Sequence, residues 1–196
     1  MSKIRFRRMF SVVCCILFLT DAVHVVRAQD ARETQGLTFE GFEFKLPSRF
    51  EEVPIPAGRL PDFMRLKPYQ VKKDGEVVEA VMMVRNNLPQ MVKEVEKDFD
   101  KSVNNFLAGL LRQQQLTLGK PKIADPFEWN GHQVKKYTYK ATLPSGSDSL
   151  LVAFAFLDDD AFVCLTHVNY ASDDAKLSLS FQEASFGKKP AKAKKK

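Results

Sequence analysis

Residues 89–115 read PQMVKEVEKDFDKSVNNFLAGLLRQQQ and predict one long amphipathic helix. Apolar side chains recur in it at spacings of three and four residues, which places them on one face of a helix. They are Val92, Val95, Phe99, Val103, Phe106 and Leu110. Pro89 suits the first turn, since its missing N–H would have no helical partner there, and Gly119 with Pro121 stops the helix. A helix about 35–40 Å long with such a face is expected to cover a β-sheet.

Strand-like sequence precedes this helix. Residues 37–46 alternate apolar and polar about Gly41, as a half-buried strand or a tight hairpin does. Residues 51–61 contain Pro54, Pro56, Gly58 and Pro61 and are expected to form a loop. A strand is predicted over 63–71, where Pro68 marks an edge or a break. Asp74-Gly75 then predicts a hairpin turn into the apolar strand 77–84.

More strands are predicted after the helix. Residues 121–129 are strand-like, and Asn130-Gly131 predicts a hairpin turn into the next strand. The segments 150–157 and 161–168 form the most apolar pair in the chain and are turned by Asp158-Asp159-Asp160. As the most apolar strands, these two are expected at the centre of the sheet.

The pattern as a whole predicts the α+β class. We expect an antiparallel β-sheet packed against one long helix over about 89–115 and a short C-terminal helix that starts at Ser172-Asp173-Asp174. The segment 177–181 also alternates as a strand would, so both assignments stay open there. We place one domain at 36–187, which is long enough for a substantial core.

Residues 1–28 are typical of a bacterial secretory signal peptide. Basic residues at the start precede an apolar run from Met9 to Thr20, and Val26-Arg27-Ala28 offers a cleavage point before Gln29. The apolar run is too short to span a bilayer, so we expect removal and no transmembrane segment afterwards, with an uncleaved anchor as the alternative. The prediction is a periplasmic or extracellular protein.

The residues 188–196 are predicted to be a disordered lysine-rich tail. Without the signal and this tail the chain has 19 basic and 23 acidic residues, a net charge of −4. The tail therefore carries the high isoelectric point, and it either keeps the protein soluble or tethers it to an anionic envelope polymer, lipid or nucleic acid. The polyanion-binding candidates are Lys188, Lys189, Lys192, Lys194, Lys195 and Lys196.

Few residues of the chain are suited to catalysis or metal binding. The chain after residue 28 has two histidines, His132 and His167, and one cysteine, Cys164, with no zinc-ligand spacing and no nucleophile motif. Cys164 and His167 are three apart on one strand and should point to opposite faces. We therefore predict no catalytic, cofactor or metal residues. Specific nucleic-acid binding is not expected either, because the tyrosines between the lysines of 135–140 suit the core.

The element order, together with the segments Gly41-Phe42-Glu43-Phe44-Lys45-Leu46-Pro47 and Phe181-Gln182-Glu183-Ala184-Ser185-Phe186, resembles the PsbP-like fold. That group includes the extrinsic photosystem proteins and bacterial secreted DcrB-like domains. The resemblance covers about 36–187 and implies an α/β/α sandwich with mostly non-enzymatic accessory or binding roles. It implies no shared catalytic motif, and the bacterial-type signal gives no support for a photosynthetic role.

The sequence thus predicts an exported, non-enzymatic accessory or binding protein of the bacterial cell envelope, whose lysine tail is either a solubilising segment or an electrostatic tether. Its expected partner is an envelope protein or an anionic envelope polymer. The alternative is an exported, hydrolase-like enzyme whose site is assembled from dispersed residues. A pocket that joins His167 or His132 to a carboxylate would favour the enzyme.

Overall fold

A computed structural model describes residues 34–56, 58–87, 89–112 and 116–170, which contain two helices and eleven strands. The helices are α1 (Pro89–Lys97) and α2 (Phe99–Arg112). The strands before them are β1 (Thr34–Phe39), β2 (Phe42–Pro47), β3 (Glu51–Glu52), β4 (Met64–Lys73) and β5 (Glu76–Asn86). The strands after them are β6 (Thr117–Leu118), β7 (Lys122–Ile123), β8 (Phe127–Trp129), β9 (His132–Thr142), β10 (Asp148–Asp158) and β11 (Ala161–Asn169).

The main sheet has the order β3-β4-β5-β11-β10-β9-β6, with β7 and β8 also paired to β9. All of these pairings are antiparallel. The strands β10 and β11 lie at the centre and are buried on both faces, and their central position is the one that their largely apolar sequence predicts.

The two faces of the sheet have different covers. On the helix face, α1 and α2 pack through the predicted apolar side chains onto residues such as Leu151, Phe162 and Cys164. On the hairpin face, β1 and β2 form a separate two-stranded sheet whose phenylalanines pack onto Phe154 and Phe156. Successive strand residues point to opposite faces, so β10 and β11 supply both cores at once.

The predicted single helix over 89–115 is wrong, because the chain forms two shorter helices that meet at Asp98. The Asp98 carboxylate accepts a hydrogen bond from the Lys101 backbone N–H at 3.2 Å, which is the third helical position after it. This is the geometry of an N-terminal helix cap, and aspartate is among the residues that form it best. The apolar stripe itself is correct, with Val95, Val103 and Phe106 all buried.

Other differences are local. The predicted loop 51–61 begins with the short strand β3, and 121–129 holds two short strands, β7 and β8, instead of one. With β6, six strands therefore follow the helices within residues 116–170, where the sequence predicts four. In the described residues the second cover of the sheet is the β1–β2 hairpin, not a helix layer. The predicted C-terminal helix, the signal peptide and the lysine tail lie outside the described residues.

The predicted turns are confirmed by their backbone angles. Asp74 and Asn130 have φ of 54° and 47°, and the glycines that follow them have φ of 85° and 80°. Two consecutive positive φ values define the type I′ turn, which matches the twist of antiparallel strands. The turn after β10 works without glycine, since Asp159 itself takes a φ of 43°.

Candidate functional site

The first candidate is a buried charge cluster on the hairpin face, formed by Arg49, Glu79 and His167. Nε2 of His167 lies 3.2 Å from Oε2 of Glu79, and the two residues are 3% and 7% exposed. Nη2 of Arg49 donates to both carboxylate oxygens at 3.1 and 3.3 Å. The ring of Phe50 meets the ring of His167 edge-on.

The pairing of β5 with β11 brings two of these residues together. Glu79 on β5 and His167 on β11 belong to adjacent strands and share the hairpin face, where His167 is paired with Val81. Arg49 comes from the turn after β2. Burial opposes ionisation of Glu79, but the hydrogen bonds from His167 and Arg49 outweigh it and lower the pKa of the carboxyl. The cluster is therefore a satisfied internal ion network.

The second candidate surrounds His132 at the opposite end of the hairpin face. Its Nδ1 lies 3.2 Å from the Leu157 carbonyl oxygen, and its Nε2 lies 3.6 Å from Oδ1 of Asp158. Arg85 forms an ion pair with Asp158, and its second nitrogen lies 3.5 Å from Asp160. The His132 ring also packs against Phe156. The arginine thus already neutralises the carboxylate that faces the histidine.

A third polar group joins α2 to β9. Tyr137 donates to Oδ1 of Asp100 at 2.6 Å, and Nζ of Lys135 lies 3.0 Å from the same oxygen. Tyr139 donates to Oδ1 of Asn104 one turn further along the helix. The hydrogen bond from Tyr137 is the main reason that the pKa of Asp100 is lowered. These tyrosines lie in the core, as predicted, and they fix the helix on the sheet.

The nucleophile candidate is inaccessible. Cys164 is fully buried on the helix face, and this burial raises the pKa of its thiol. His167 lies on the hairpin face, so the predicted separation of the two residues is confirmed. Within the described ranges no three His, Cys, Asp or Glu side chains cluster as metal ligands would. The six tail lysines lie outside those ranges.

A cleft of about 490 Å³ lies at the β4 edge of the sheet. Its walls come from the β1–β2 turn at Phe39 and Glu40, the loop at Ile55 and Leu60, and the first half of β4. Neither histidine lines it. The cleft therefore lies apart from both histidine–carboxylate pairs.

The cleft exists because β3 separates from β4. Glu51 and Glu52 pair with β4, and Val53 N–H donates to the Pro68 carbonyl at 2.9 Å. Pro54 and Pro56 follow, and a proline has no N–H to continue such pairing. The next backbone hydrogen bond on this side of β4 runs from the Met64 N–H to the Pro61 carbonyl. Leu66 lies between these two bonds.

Main-chain groups of Leu66 face the cleft. Residues two apart in a strand direct their N–H and C=O to the same side, so Leu66 shares the outward direction of Met64 and Pro68. No backbone hydrogen bond to the described residues engages the outward N–H or C=O of Leu66. Its side chain is partly buried against the helix-face core. Sequence reasoning missed this edge, although the prolines that free it were recognised as loop signals.

The charges that line the cleft are mixed. Glu52 pairs with Lys67 at 3.4 Å, and Arg65 donates to the backbone carbonyls of Asp62 and Met64. The carboxylates of Glu40, Glu52 and Asp62 outnumber the two basic groups by one. The lining therefore favours a neutral or weakly basic ligand over an acidic one.

Comparison with solved structures gives the fold. The solution structure of cyanobacterial PsbP (CyanoP) from Synechocystis matches 83% of this chain and 94% of its own length, with a TM-score of 0.56 and 10% identity. This chain has a PsbP-like fold. The crystal structure of a Pseudomonas aeruginosa protein of unknown function also aligns, over 82% of this chain and 99% of its own. Its identity is 12% and its TM-score of 0.42 is too low to support an argument.

The PsbP-like fold agrees with the resemblance inferred from element order. It transfers no ligand or activity at 10% identity, because one fold hosts unrelated functions. No protein-family model matches the chain, and no curated protein matches it. In the described part of the chain, neither helix has the length and apolarity needed to cross a bilayer.

Proposed function

We propose that this chain is an exported accessory or binding protein of the bacterial cell envelope that acts without catalysis. The observation that carries the proposal is the separation of the cleft from His132, His167 and Cys164, none of which lines it. The cleft is lined by backbone and mixed side chains, whereas His167 is closed into a buried ion network and Cys164 is buried in the core. General acid–base or nucleophilic chemistry needs its groups within reach of substrate, so this arrangement favours binding.

Export and the lysine tail complete the proposal. The signal-like residues 1–28 support a periplasmic or extracellular location, and the six lysines of 188–196 support electrostatic tethering. A run of like charges without apolar side chains interacts with anionic polymers through long-range attraction that salt screens. The partner is accordingly an envelope protein, an anionic envelope polymer, or both at separate surfaces.

Crosslinking in the producing cells tests this function. The protein is crosslinked in its own envelope fraction, recovered, and compared with a variant that lacks 188–196. We expect a specific partner with both forms and a salt-sensitive association with envelope material that only the full chain shows. A control variant with the six lysines changed to glutamine keeps the tail length and should behave as the deletion does. Recovery of no specific partner contradicts the accessory role, and unchanged association of the deletion contradicts tethering.

The pairing of His132 with Asp158 favours one rival, an exported hydrolase-like enzyme. Both side chains keep about a fifth of their surface exposed, at 22% and 20%. We expect His132→Gln to leave any ester hydrolysis by the purified protein unchanged. Loss of a p-nitrophenyl ester hydrolysis in this variant, with a Lys45→Gln control unaffected, would replace the binding function with the enzymatic one.

A further inference from the structure

The open edge of β4 is a feature to which no backbone group of the described residues is hydrogen-bonded at Leu66. Leu66 directs one N–H and one C=O into the cleft, between the bonds that close the edge at Met64 and at Pro68. An unpaired strand edge is a template for another extended chain. Sheets commonly use such an edge for recognition, with main-chain hydrogen bonds that supply affinity and side pockets that supply selectivity.

We infer that this edge binds an extended segment of a partner protein, which pairs with Leu66 as an added strand. The inference rests on the proposed binding function and assigns it a site. The stretch from Met64 to Pro68 spans about 13 Å, enough for three or four residues of an added strand. The cleft volume of about 490 Å³ lies within the roughly 300–1,000 Å³ typical of ligand pockets.

The chemistry of the cleft specifies the segment further. Ile55 and Leu60 are partly buried and offer apolar contact to the side chain opposite Leu66. The carboxylates of Glu40 and Asp62 lie on the exposed rim, where they favour a lysine or arginine next to the paired residues. The preferred ligand is therefore an extended segment with apolar residues at its centre and a basic residue beside them.

Proline substitution provides a selective test of the edge. Leu66→Pro removes the outward N–H but no bond to β5, because Leu66 is paired with Val84 and turns its own N–H away from it. Pro68, two residues further along the same strand, already occupies an equivalent outward position. Leu66→Val keeps the N–H and serves as the matched control.

The probe is a set of heptapeptides with a lysine at each end and central residues drawn from valine, threonine, leucine and isoleucine. Each peptide is paired with a form that is N-methylated at its central residue, which cannot donate to the edge. Binding is followed by fluorescence anisotropy with the processed full chain, and amide hydrogen exchange locates the site. The amide of Lys67, which points toward β5, is the internal reference for folding.

We expect the best peptides to slow exchange of the Leu66 amide at least about tenfold and to leave Lys67 unchanged. Leu66→Pro should weaken binding at least about tenfold, and Leu66→Val no more than about threefold. N-methylation should abolish binding to the unaltered protein, which keeps the test valid if the proline variant does not fold. Peptides with glutamate in place of both lysines should bind several-fold more weakly, by about twofold to tenfold.

Other outcomes overturn the inference. The first is that N-methylated peptides bind as tightly as their unmethylated forms. The second is that peptide binding slows hydrogen exchange only at amides away from β4, and the third is that no peptide of the set binds. Protection of Leu66 that rises with protein concentration alone would assign the edge to a second copy of this chain. If the crosslinked partner is recovered equally well with Leu66→Pro, the accessory role stands and this site is wrong. Peptide binding at Leu66 without any recovered envelope partner would support this site and contradict the accessory role.

Discussion

The ion network around Glu79 gives the sharpest test of how this fold is stabilised. Glu79 accepts hydrogen bonds from Arg49 at two oxygens and faces His167 at 3.2 Å, with its own side chain 9% exposed. Removal of one partner from a buried ion pair costs about 3–5 kcal/mol, since the remaining charge is left uncompensated. Arg49 is 18% exposed and can recover some hydration. We therefore expect Glu79→Gln to lower the free energy of unfolding by about 2–3 kcal/mol.

Urea denaturation of the purified protein measures this loss at pH 7. The midpoint should fall while the slope of free energy against urea stays unchanged, because the surface exposed on unfolding is the same. Glu52→Gln is the control, since Glu52 forms an ion pair with Lys67 but is 53% exposed. A pair so open to solvent contributes about 0–1 kcal/mol.

The pH dependence of the same variant gives an independent check. The folded-state pKa of Glu79 lies below its ordinary value of 4.5, so the carboxylate stabilises the fold above that value. This contribution is lost as the pH falls through the lower, folded-state pKa. The gap between the unaltered protein and Glu79→Gln should therefore narrow on acidification below about pH 4.5. A gap that stays constant from neutral to acid pH, or an unchanged midpoint at pH 7, would refute the reasoning.

Two further predictions concern the helix face. Tyr137→Phe should lower the free energy of unfolding by about 1 kcal/mol and raise the pKa of Asp100, because it removes the hydrogen bond between them; urea denaturation and carboxyl NMR titration measure the two effects, and an unchanged Asp100 titration would contradict them. Cys164 should resist iodoacetamide at pH 8 in the native protein and react in urea, since burial raises the pKa of its thiol and excludes the reagent; fast labelling of the folded protein would show that β11 opens.

Much of the secondary structure could be predicted because its signals are local. The turns at Asp74 and Asn130 follow from dipeptides that accept positive φ, and the central position of β10 and β11 follows from their largely apolar sequence. The helix break at Asp98 could not be predicted from the sequence. An aspartate in an amphipathic segment either stays solvated within one helix or caps a new one, and the local pattern is the same in both cases. Phe99 and Asp100 contact Lys135 of β9, a packing that the tertiary structure adds to the Asp98 cap at the start of the second helix.

The candidate sites were less predictable than the fold. The histidines were singled out by residue type, but their partners Glu79 and Asp158 lie 88 and 26 positions away, respectively, in the chain. A glutamate inside the apolar strand 77–84 was the available signal for a buried partner. The cleft could not be predicted as a site from the sequence, because its lining comes from three separate segments.

The sequence by itself determined the α+β class, the strands at the centre of the sheet, the apolar face of the helices and the hairpin turns, since each depends on periodicity or on the conformation of a few neighbouring residues. Only the tertiary structure decided that the β1–β2 hairpin covers the second face, that His132 and His167 lie against carboxylates, and that no backbone group of the described residues pairs with the outward edge of β4 at Leu66. These features depend on which distant segments meet, and pairing between strands far apart in the chain is set by the packing of the whole core.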